Sequence, residues 1–245
     1  MAASAVLALG AVLFAASEFS GFGLGHKFET ATAQVKDIQL DDGTLVTLGA
    51  DSKIAVEFGK HERRVQLTRG EAFFEVTRDT NRLFLVMAGD TVVRVLGTKV
   101  NVHYEQQPVR VAVVEGRVEV MHADLVKVAT PKQKPAQRQL LAAGDTAVAT
   151  QAGAVVTSSH ANKEDLGAWR QGRLVYVDAR LKDIISDMNR YFDGEIQLAN
   201  EGLGERQLTI TFRADEIDRG IELIEGALAV RVVRSGPKQV MLAEQ

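Results

Sequence analysis

The sequence predicts a mainly β protein with an α+β part. An antiparallel β-sandwich or jelly-roll-like domain is expected first, then a small two-layer β-α-β-β-α-β domain, with a membrane helix before both. Glycine-separated runs of β-branched and aromatic residues fill the middle of the chain, as in half-buried strands joined by turns, and apolar residues at helical spacing follow later. The predicted boundaries are a membrane helix at 1–19, a juxtamembrane linker at 20–29, the β domain at 30–150, a linker at 151–165 and the α+β domain at 166–245.

The composition weighs against several classes of function. The 245 residues carry a formal net charge of -3, so a basic face for nucleic acid is not expected. Without cysteine, disulfides, thiol catalysis and thiolate metal sites are excluded. The motifs of acyl-transfer, phosphate-binding and zinc-hydrolase sites are missing. We therefore expect no enzyme, no cofactor and no metal, with the histidines at scattered surface or turn positions, His26, His61, His103, His122 and His160.

The N-terminal residues 2–16 are almost wholly apolar, slightly fewer than the roughly 20 that span a bilayer. No Lys or Arg precedes Lys27, so the positive-inside rule gives no orientation here. Three interpretations fit: a membrane span whose cytoplasmic flank is absent from this chain, an atypical signal peptide with a small-residue site near Ala15, or a buried hydrophobic helix. The first two place everything after Phe19 outside the cytoplasm. Residues 21–25 then have the composition of a flexible linker.

The β domain is expected to begin with a hairpin. Two short apolar runs flank Asp41, Asp42 and Gly43, and an Asp-Gly pair supplies the positive φ that a tight hairpin turn requires. Further strands follow from alternation, in which one face is dry and the other wet. The predicted dry faces carry Ala72, Phe74, Val76, Val100, Val102 and Tyr104, and the predicted wet faces carry Glu71, Glu75, Lys99, Asn101 and His103.

One segment interrupts the strands of the β domain. Residues 127–138, with two prolines and several basic side chains, are typical of a solvated, mobile connection. Residues 140–145 then resume the pattern of strand and turn.

The C-terminal part combines helices and strands. Helical spacing predicts a first helix with Asp178 as its N-cap and Gly194 as a left-handed residue after its end, and a second helix from near Asp215. The apolar stripe of the first helix is Leu181, Ile184, Ile185, Met188 and Phe192. Strands are predicted at 174–177, 196–198, 208–212, 230–233 and 240–242, one more than the β-α-β-β-α-β order needs. Because a helical stripe must be buried against an apolar sheet face, this part should form two layers.

Three motifs resemble those of the FecR family of periplasmic signalling domains, in the family's order and spacing. They are Gly-Glu-Ala-Phe-Phe-Glu-Val at 70–76, Leu-Gly-Thr-Lys-Val-Asn-Val at 96–102 and Val-Glu-Gly-Arg-Val at 114–118. The turn at 40–44 is similar to the family's Leu-Pro-Asp-Gly-Ser, with Asp41 and Thr44 in place of the proline and the serine. Residues 169–174 match its Trp-x-x-Gly-x-Leu, and the domain that follows resembles the short N-terminal domain of secretins and TonB-dependent transducers.

The resemblance implies an anti-sigma type of regulator, held in the inner membrane by one span, with most of the chain in the periplasm. The C-terminal domain would dock the signalling domain of an outer-membrane TonB-dependent transducer, in systems that import iron complexes or glycans. In the family, a cytoplasmic segment before the span holds an extracytoplasmic-function sigma factor. That segment is absent from these residues, which favours the membrane-span interpretation of 2–16. The alternative is a periplasmic structural or carbohydrate-binding β-sandwich without a signalling role.

Gly97 and Thr98 are the candidates for chemistry. A glycine between two regular strands predicts a bulge or sharp bend. A strained peptide followed by a hydroxyl can undergo an N-to-O acyl shift and then hydrolysis, and some FecR regulators are thought to cleave themselves at a similar pair. A purely structural corner fits the same residues. Glu71 and Glu75 are interpreted as the wet side of a strand, and Trp169 as an anchor between the domains rather than a ligand-stacking surface.

Overall fold

The computed structural model describes residues 25–105, 108–123, 138–150, 155–159, 162 and 164–245. The predicted membrane helix at 1–19 and residues 127–137 of the predicted connection lie outside this part of the chain. Within the described residues, no helix has both the length and the apolar character needed to cross a bilayer.

The described part of the β domain forms a sheet of thirteen strands. The Asp42-Gly43 hairpin joins β2 to β3 as predicted, with Gly43 at a φ of 82° and Leu40 N–H bonded to the Thr44 carbonyl. The strands are β1 His26–Glu29, β2 Lys36–Gln39, β3 Leu45–Leu48, β4 Lys53–Phe58, β5 Glu62–Glu75, β6 Leu83–Ala88, β7 Thr91–Val95, β8 Lys99–Tyr104, β9 Val109–Glu115, β10 Arg117–His122, β11 Arg138–Ala142, β12 Asp145–Ala149 and β13 Val155–Ser159.

The long strand β5 joins two layers of this sheet. Its first half pairs with β4 and β6, and its second half pairs with β3 and β8. Gly70, at a φ of 86°, lies between the two halves. Both layers contribute to one apolar core, in which Leu67, Phe74 and Phe84 are fully buried. This arrangement confirms the predicted sheet-rich, sandwich-like class of fold.

One strand pair departs from the antiparallel prediction. Strands β5 and β6 run parallel, with Glu62 opposite Leu83. The chain leaves β5 in the second layer and returns to the start of β5 in the first layer, so the next strand must run in the same direction. A buried arginine holds this return: Arg63 donates to the carbonyls of Thr77 and Arg82, at 2.9 and 3.0 Å.

Both predicted linkers are shorter than expected. His26–Glu29 form β1 and pair with β4, although 20–29 was predicted to be a linker. Val155–Ser159 form β13 and pair with β12, although 151–165 was predicted to be a linker. In each case the sheet gains one further strand at its edge, and Val155, Val156 and Thr157 of β13 are β-branched residues that favour this conformation.

The C-terminal domain is α+β, as predicted, but its strands form two small sheets rather than one. Strand β14 pairs with β16, and β18 pairs with both β15 and β17. Helices α1 and α3 bury their stripes in a core shared with both sheets. The elements are a 3₁₀ turn Ala168–Gln171, β14 Arg173–Arg180, α1 Leu181–Asn189, β15 Glu195–Leu198, α2 Glu201–Gly204, β16 Gln207–Arg213, α3 Ile217–Leu228, β17 Val230–Gly236 and β18 Gln239–Glu244.

Two details of the helix prediction are wrong. Asp178 is not an N-cap: it lies in a bulge of β14 at a φ of 49°, and α1 begins after Arg180 without a side-chain cap. Gly194 does not adopt a left-handed conformation. A Cβ at Gly194 would lie 2.4 Å from the Lys238 carbonyl oxygen, so the glycine permits close approach of a neighbouring turn.

The ion pair of Arg63 with Asp42 gives a test of the β domain. The side chains are 0% and 2% exposed, and Arg63 Nη1 lies 2.5 Å from Asp42 Oδ2. Arg63→Met leaves the carboxylate and two carbonyls buried without their donor, so we expect the free energy of unfolding to fall by about 3–5 kcal/mol in urea titrations. The control is Arg64→Met, whose side chain is 41% exposed, with a change within about 0.5 kcal/mol. Equal losses in the two variants would contradict this role.

Candidate functional site

The two domains meet at a junction built around Trp169. The indole is 6% exposed and its Nε1 donates to Asn101 Oδ1 of β8 at 3.1 Å. Next to it, the Arg170 guanidinium carbon lies 3.5 Å from the centre of the fully buried Phe73 ring, a cation–π contact. Trp169 therefore anchors one domain on the other, as predicted.

Asn101 continues this contact into the β domain. Its Nδ2 donates to Glu71 Oε1 on β5 at 2.7 Å. The other carboxylate oxygen, Oε2, lies 3.3 Å from Nη1 of Arg190, directly after α1. A chain of buried polar contacts thus starts in the C-terminal domain at Trp169, crosses two strands of the β domain, and returns to the C-terminal domain at Arg190.

Arg190 is the most heavily bonded side chain of the junction. It is 3% exposed, and it donates from Nε and Nη2 to the Ala50 carbonyl of the β domain, at 3.0 and 2.9 Å. Nη1 also donates to Asp187 of its own helix at 2.7 Å. The Arg190 carbonyl accepts from Ala33 N–H at 2.9 Å. One residue therefore joins the end of α1 to two separate loops of the β domain.

The prediction that Glu71, Asn101 and His103 lie on wet strand faces is wrong. Glu71 and Asn101 are 7% and 9% exposed, and the His103 side chain is 15% exposed. The C-terminal domain covers this face, so Glu71 and Asn101 are bonded to other protein groups. Among the described residues, the buried Nε2 of His103 has no hydrogen-bond partner. The sequence held one signal: Ala72, Phe73 and Phe74 form an unbroken apolar run, which is typical of a strand buried on both faces. Arg190 carried no sequence signal that we recognised.

Burial and charge perturb the ionisable groups of the junction. Burial raises the pKa of Glu71 to about 7, in spite of Arg190. Burial also acts to raise the pKa of Asp187, but Arg190 and the Tyr176 hydroxyl, which donates at 2.7 Å, hold it below its usual range. Burial, reinforced by Arg190, lowers the pKa of His103 to about 4. At neutral pH the Arg190 guanidinium is therefore charged, Asp187 is ionised, and Glu71 is partly protonated.

Weaker contacts surround the buried part of the junction. Arg110 of β9 pairs with Asp183 of α1 at 2.8 Å, and Ser186 of α1 donates to Glu105 of the β domain. Arg170 lies 3.4 Å from Glu75 Oε1. These side chains are partly exposed, so each pair contributes about 0–1 kcal/mol. These pairs contribute more to the relative orientation of the two domains than to the free energy of their association.

Gly97 and Thr98 lie at a corner between β7 and β8, outside the junction itself. Gly97 has a φ of 113°, which only glycine adopts readily. The Thr98 carbonyl accepts from Val76 N–H at 2.9 Å, and the residue is 6% exposed. Among the described residues, its Oγ1 has no hydrogen-bond partner. The predicted bend is present, and the hydroxyl is not engaged in the local hydrogen bond that a purely structural role would supply.

The described residues contain no group of three or more His, Asp or Glu side chains placed to hold a metal ion. The junction has ionisable groups, but its carboxylates and guanidinium are bonded to one another. Its geometry suits the fixing of two domains in one arrangement.

Comparisons with known proteins agree with this architecture. Residues 26–119 match the family model for the FecR protein, and residues 173–240 match the model for the FecR C-terminal domain. The matches fall on the β domain and on the α+β domain, and together they cover about two thirds of the chain. The family matches and the two-domain fold together define a signalling regulator. The chain belongs to the FecR family of signalling regulators.

Solved structures show the same fold. Two crystal structures of a candidate anti-sigma factor from Parabacteroides distasonis ATCC 8503 superpose with a TM-score of 0.77 at 24% sequence identity. The matches cover 91% and 90% of this chain, and 100% and 99% of the two crystallised chains. A search of curated proteins found no match.

The raised pKa of Glu71 gives a pH-dependent prediction. The folded chain binds a proton that the unfolded chain releases between pH 4.5 and about 7, so the stability associated with this proton is present below pH 4.5 and lost as the pH rises through 7. Glu71→Gln removes the titration. The free energy of unfolding of this variant minus that of the wild type should therefore rise with pH, by about 3 kcal/mol in total. Urea unfolding at several pH values between about 5 and 8 measures it.

The control is Glu75→Gln, on the same strand face with a side chain 36% exposed. Any offset from the wild type should stay within about 1 kcal/mol, the contribution of its exposed pairs with Arg170 and Lys99. His103 titrates in all three proteins and cancels in the comparison. A constant offset for Glu71→Gln across the pH range would contradict the assignment.

Proposed function

We propose that this chain is the periplasmic relay of a signalling system that spans two membranes. It receives a signal from an outer-membrane TonB-dependent transducer and passes it to an extracytoplasmic-function sigma factor. On this proposal the residues before Phe19 cross the inner membrane once, the described domains lie in the periplasm, and a cytoplasmic segment outside these residues holds the sigma factor. Membership of the FecR family supports the proposal.

The junction is the observation that carries the relay. A partner that docks on the C-terminal domain can influence the inner membrane only through the β domain, which lies between the two in the sequence. The buried contacts of Arg190 and Trp169 make the domains move together, because opening the junction would separate the guanidinium from Glu71 and the Ala50 carbonyl, and the indole from Asn101. Docking on the C-terminal domain would then also displace the β domain.

The proposed docking mode is protein–protein contact, without turnover of a substrate. The C-terminal domain has two small sheets whose outer strands have no further partner strand among the described residues, and an edge strand offers backbone groups that a partner strand can pair. The transducer's signalling domain is the proposed partner.

A second candidate function is self-cleavage at Gly97-Thr98. The left-handed glycine and the unpartnered, buried Thr98 hydroxyl favour it. Thr98 Oγ1 would attack the Gly97 carbonyl carbon, the C–N bond would break, and the freed amine of Thr98 would take up the proton. Water would then hydrolyse the ester, which gives a carboxylate at Gly97 and restores the hydroxyl. Each molecule would react once.

The relay is tested with Arg190→Met. The signalling domain of the cognate transducer, identified by screening the TonB-dependent transducers of the same organism, should bind the wild-type protein in isothermal titration calorimetry. Arg190→Met should still bind, because Arg190 faces the β domain and is 3% exposed, but a sigma-dependent reporter should lose most of its induction in cells. Arg219→Met, at a side chain 60% exposed on α3, is the control and should induce normally.

Circular dichroism establishes that both variants are folded. No binding by the wild type would contradict the proposed partner. Normal induction by a folded Arg190→Met protein would contradict the relay through the junction.

Self-cleavage is tested by mass spectrometry of the purified full chain. We expect two fragments, 1–97 and 98–245, from the wild type and from Thr98→Ser, which keeps the hydroxyl. Thr98→Ala should give one intact mass. Thr91→Ala removes another buried hydroxyl, 3% exposed on β7, and should cleave as the wild type does. A single intact mass in the wild type would disprove the reaction.

A further inference from the structure

One edge of strand β14 carries unpaired backbone groups. The Gly172 carbonyl accepts a hydrogen bond from Ala214 N–H at 2.9 Å. This bond determines which residue pairs of the antiparallel strands β14 and β16 are hydrogen-bonded to each other. Residues at every second position then exchange hydrogen bonds with β16, so the backbone N–H and C=O groups of Leu174 and Tyr176 point towards β16. The N–H and C=O groups of Val175 point to the opposite side, where the described residues provide no partner strand.

This edge lies in a cleft between the two domains. The cleft has a volume of about 890 Å³, and all eight residues of β14, Arg173–Arg180, line it. Consecutive residues of a strand line one cavity when the strand's edge, rather than one of its faces, borders it. Residues 110–112 of β9 and 146–148 of β12 form the opposite wall.

The side chains along β14 differ between its two faces. Tyr176 faces the junction and bonds Asp187, whereas Val177 is 69% exposed and Val175 is half-buried on the other face. A strand added beside β14 would therefore meet polar groups of the junction on one face and the two valines on the other. A segment that alternates polar and apolar residues fits both.

The other free edges of the C-terminal domain are less suitable. Strand β15 has only four residues, and β17 carries the exposed charges Arg231 and Arg234, a feature that protects edges against pairing. The outer edge of β16 does not line the cleft, apart from Gln207. A sheet of two strands is also only marginally stable, so a third strand on β14 has the most to add.

We propose that β14 is the docking edge for the transducer's signalling domain, which adds one extended, alternating polar and apolar strand inside the cleft. This inference rests on the proposed function and specifies its contact surface. Because the added strand would touch β14 on one side and the β9–β12 wall on the other, docking would engage both domains at once.

Val175→Pro tests the proposal, because proline removes the outward N–H and crowds an incoming strand. Thr211→Pro is the matched control: Thr211 lies directly opposite Val175 in the pair, and its N–H points to the other edge of the same sheet. Neither change removes a hydrogen bond between β14 and β16. Circular dichroism and thermal unfolding establish that the two variants are folded to the same extent.

The probe is the purified signalling domain of the cognate transducer, titrated calorimetrically into each protein. We expect Val175→Pro to weaken binding about tenfold or more and Thr211→Pro to leave the affinity within about twofold of the wild type. In the wild-type complex, exchange of the Val175 amide hydrogen should slow. Equal affinities of Val175→Pro and wild type would contradict β14 as the docking edge, but would leave the signalling domain as the partner.

Two other results are also decisive. No binding by the wild type would overturn the proposed function together with this inference. A wild-type dimer by light scattering that is lost in Val175→Pro and competes with the probe would assign the edge to a second copy of this chain, which contradicts the proposal.

Discussion

The buried guanidinium of Arg190 is the interaction on which the arrangement of this molecule depends. It belongs to the C-terminal domain by sequence, yet its Nε and Nη2 are satisfied by the Ala50 carbonyl of the β domain. A charge with 3% exposure is tolerated only when its partners are in place, and removal of one partner of such a pair typically costs about 3–5 kcal/mol. The domains have separate cores, but the second core includes Ala50 and Phe73 of the first domain.

The same cluster links the fold to the proposed relay. One cation faces three carboxyl groups, Glu71, Asp187 and Glu105, and burial in this crowded place raises the pKa of Glu71 and of Glu105. The junction therefore joins the two domains through buried, charged side chains. The cleft beside β14 opens next to it, so a partner in the cleft would lie close to the groups that hold the domains together.

Much of the fold could be predicted from the sequence, because the signals were local. The Asp42-Gly43 hairpin, the corner at Gly97 and the strands around both C-terminal helices follow from turn chemistry and periodicity. The failures involve contacts between distant segments. Glu71 alternates like a solvent-facing residue, and only the C-terminal domain folded over it makes it buried. Asp178 looks like an N-cap, but the strand continues past it through a bulge. Only the tertiary structure determines the parallel pairing of β5 with β6.

The central claim is that the two domains form one rigid unit through Arg190. Residual dipolar couplings of backbone amides in residues 25–245 test it most directly, because each rigid body reports its own alignment. The account predicts that one alignment tensor fits both domains of the wild type and that Arg190→Met requires two. Two different tensors in the wild type would contradict it.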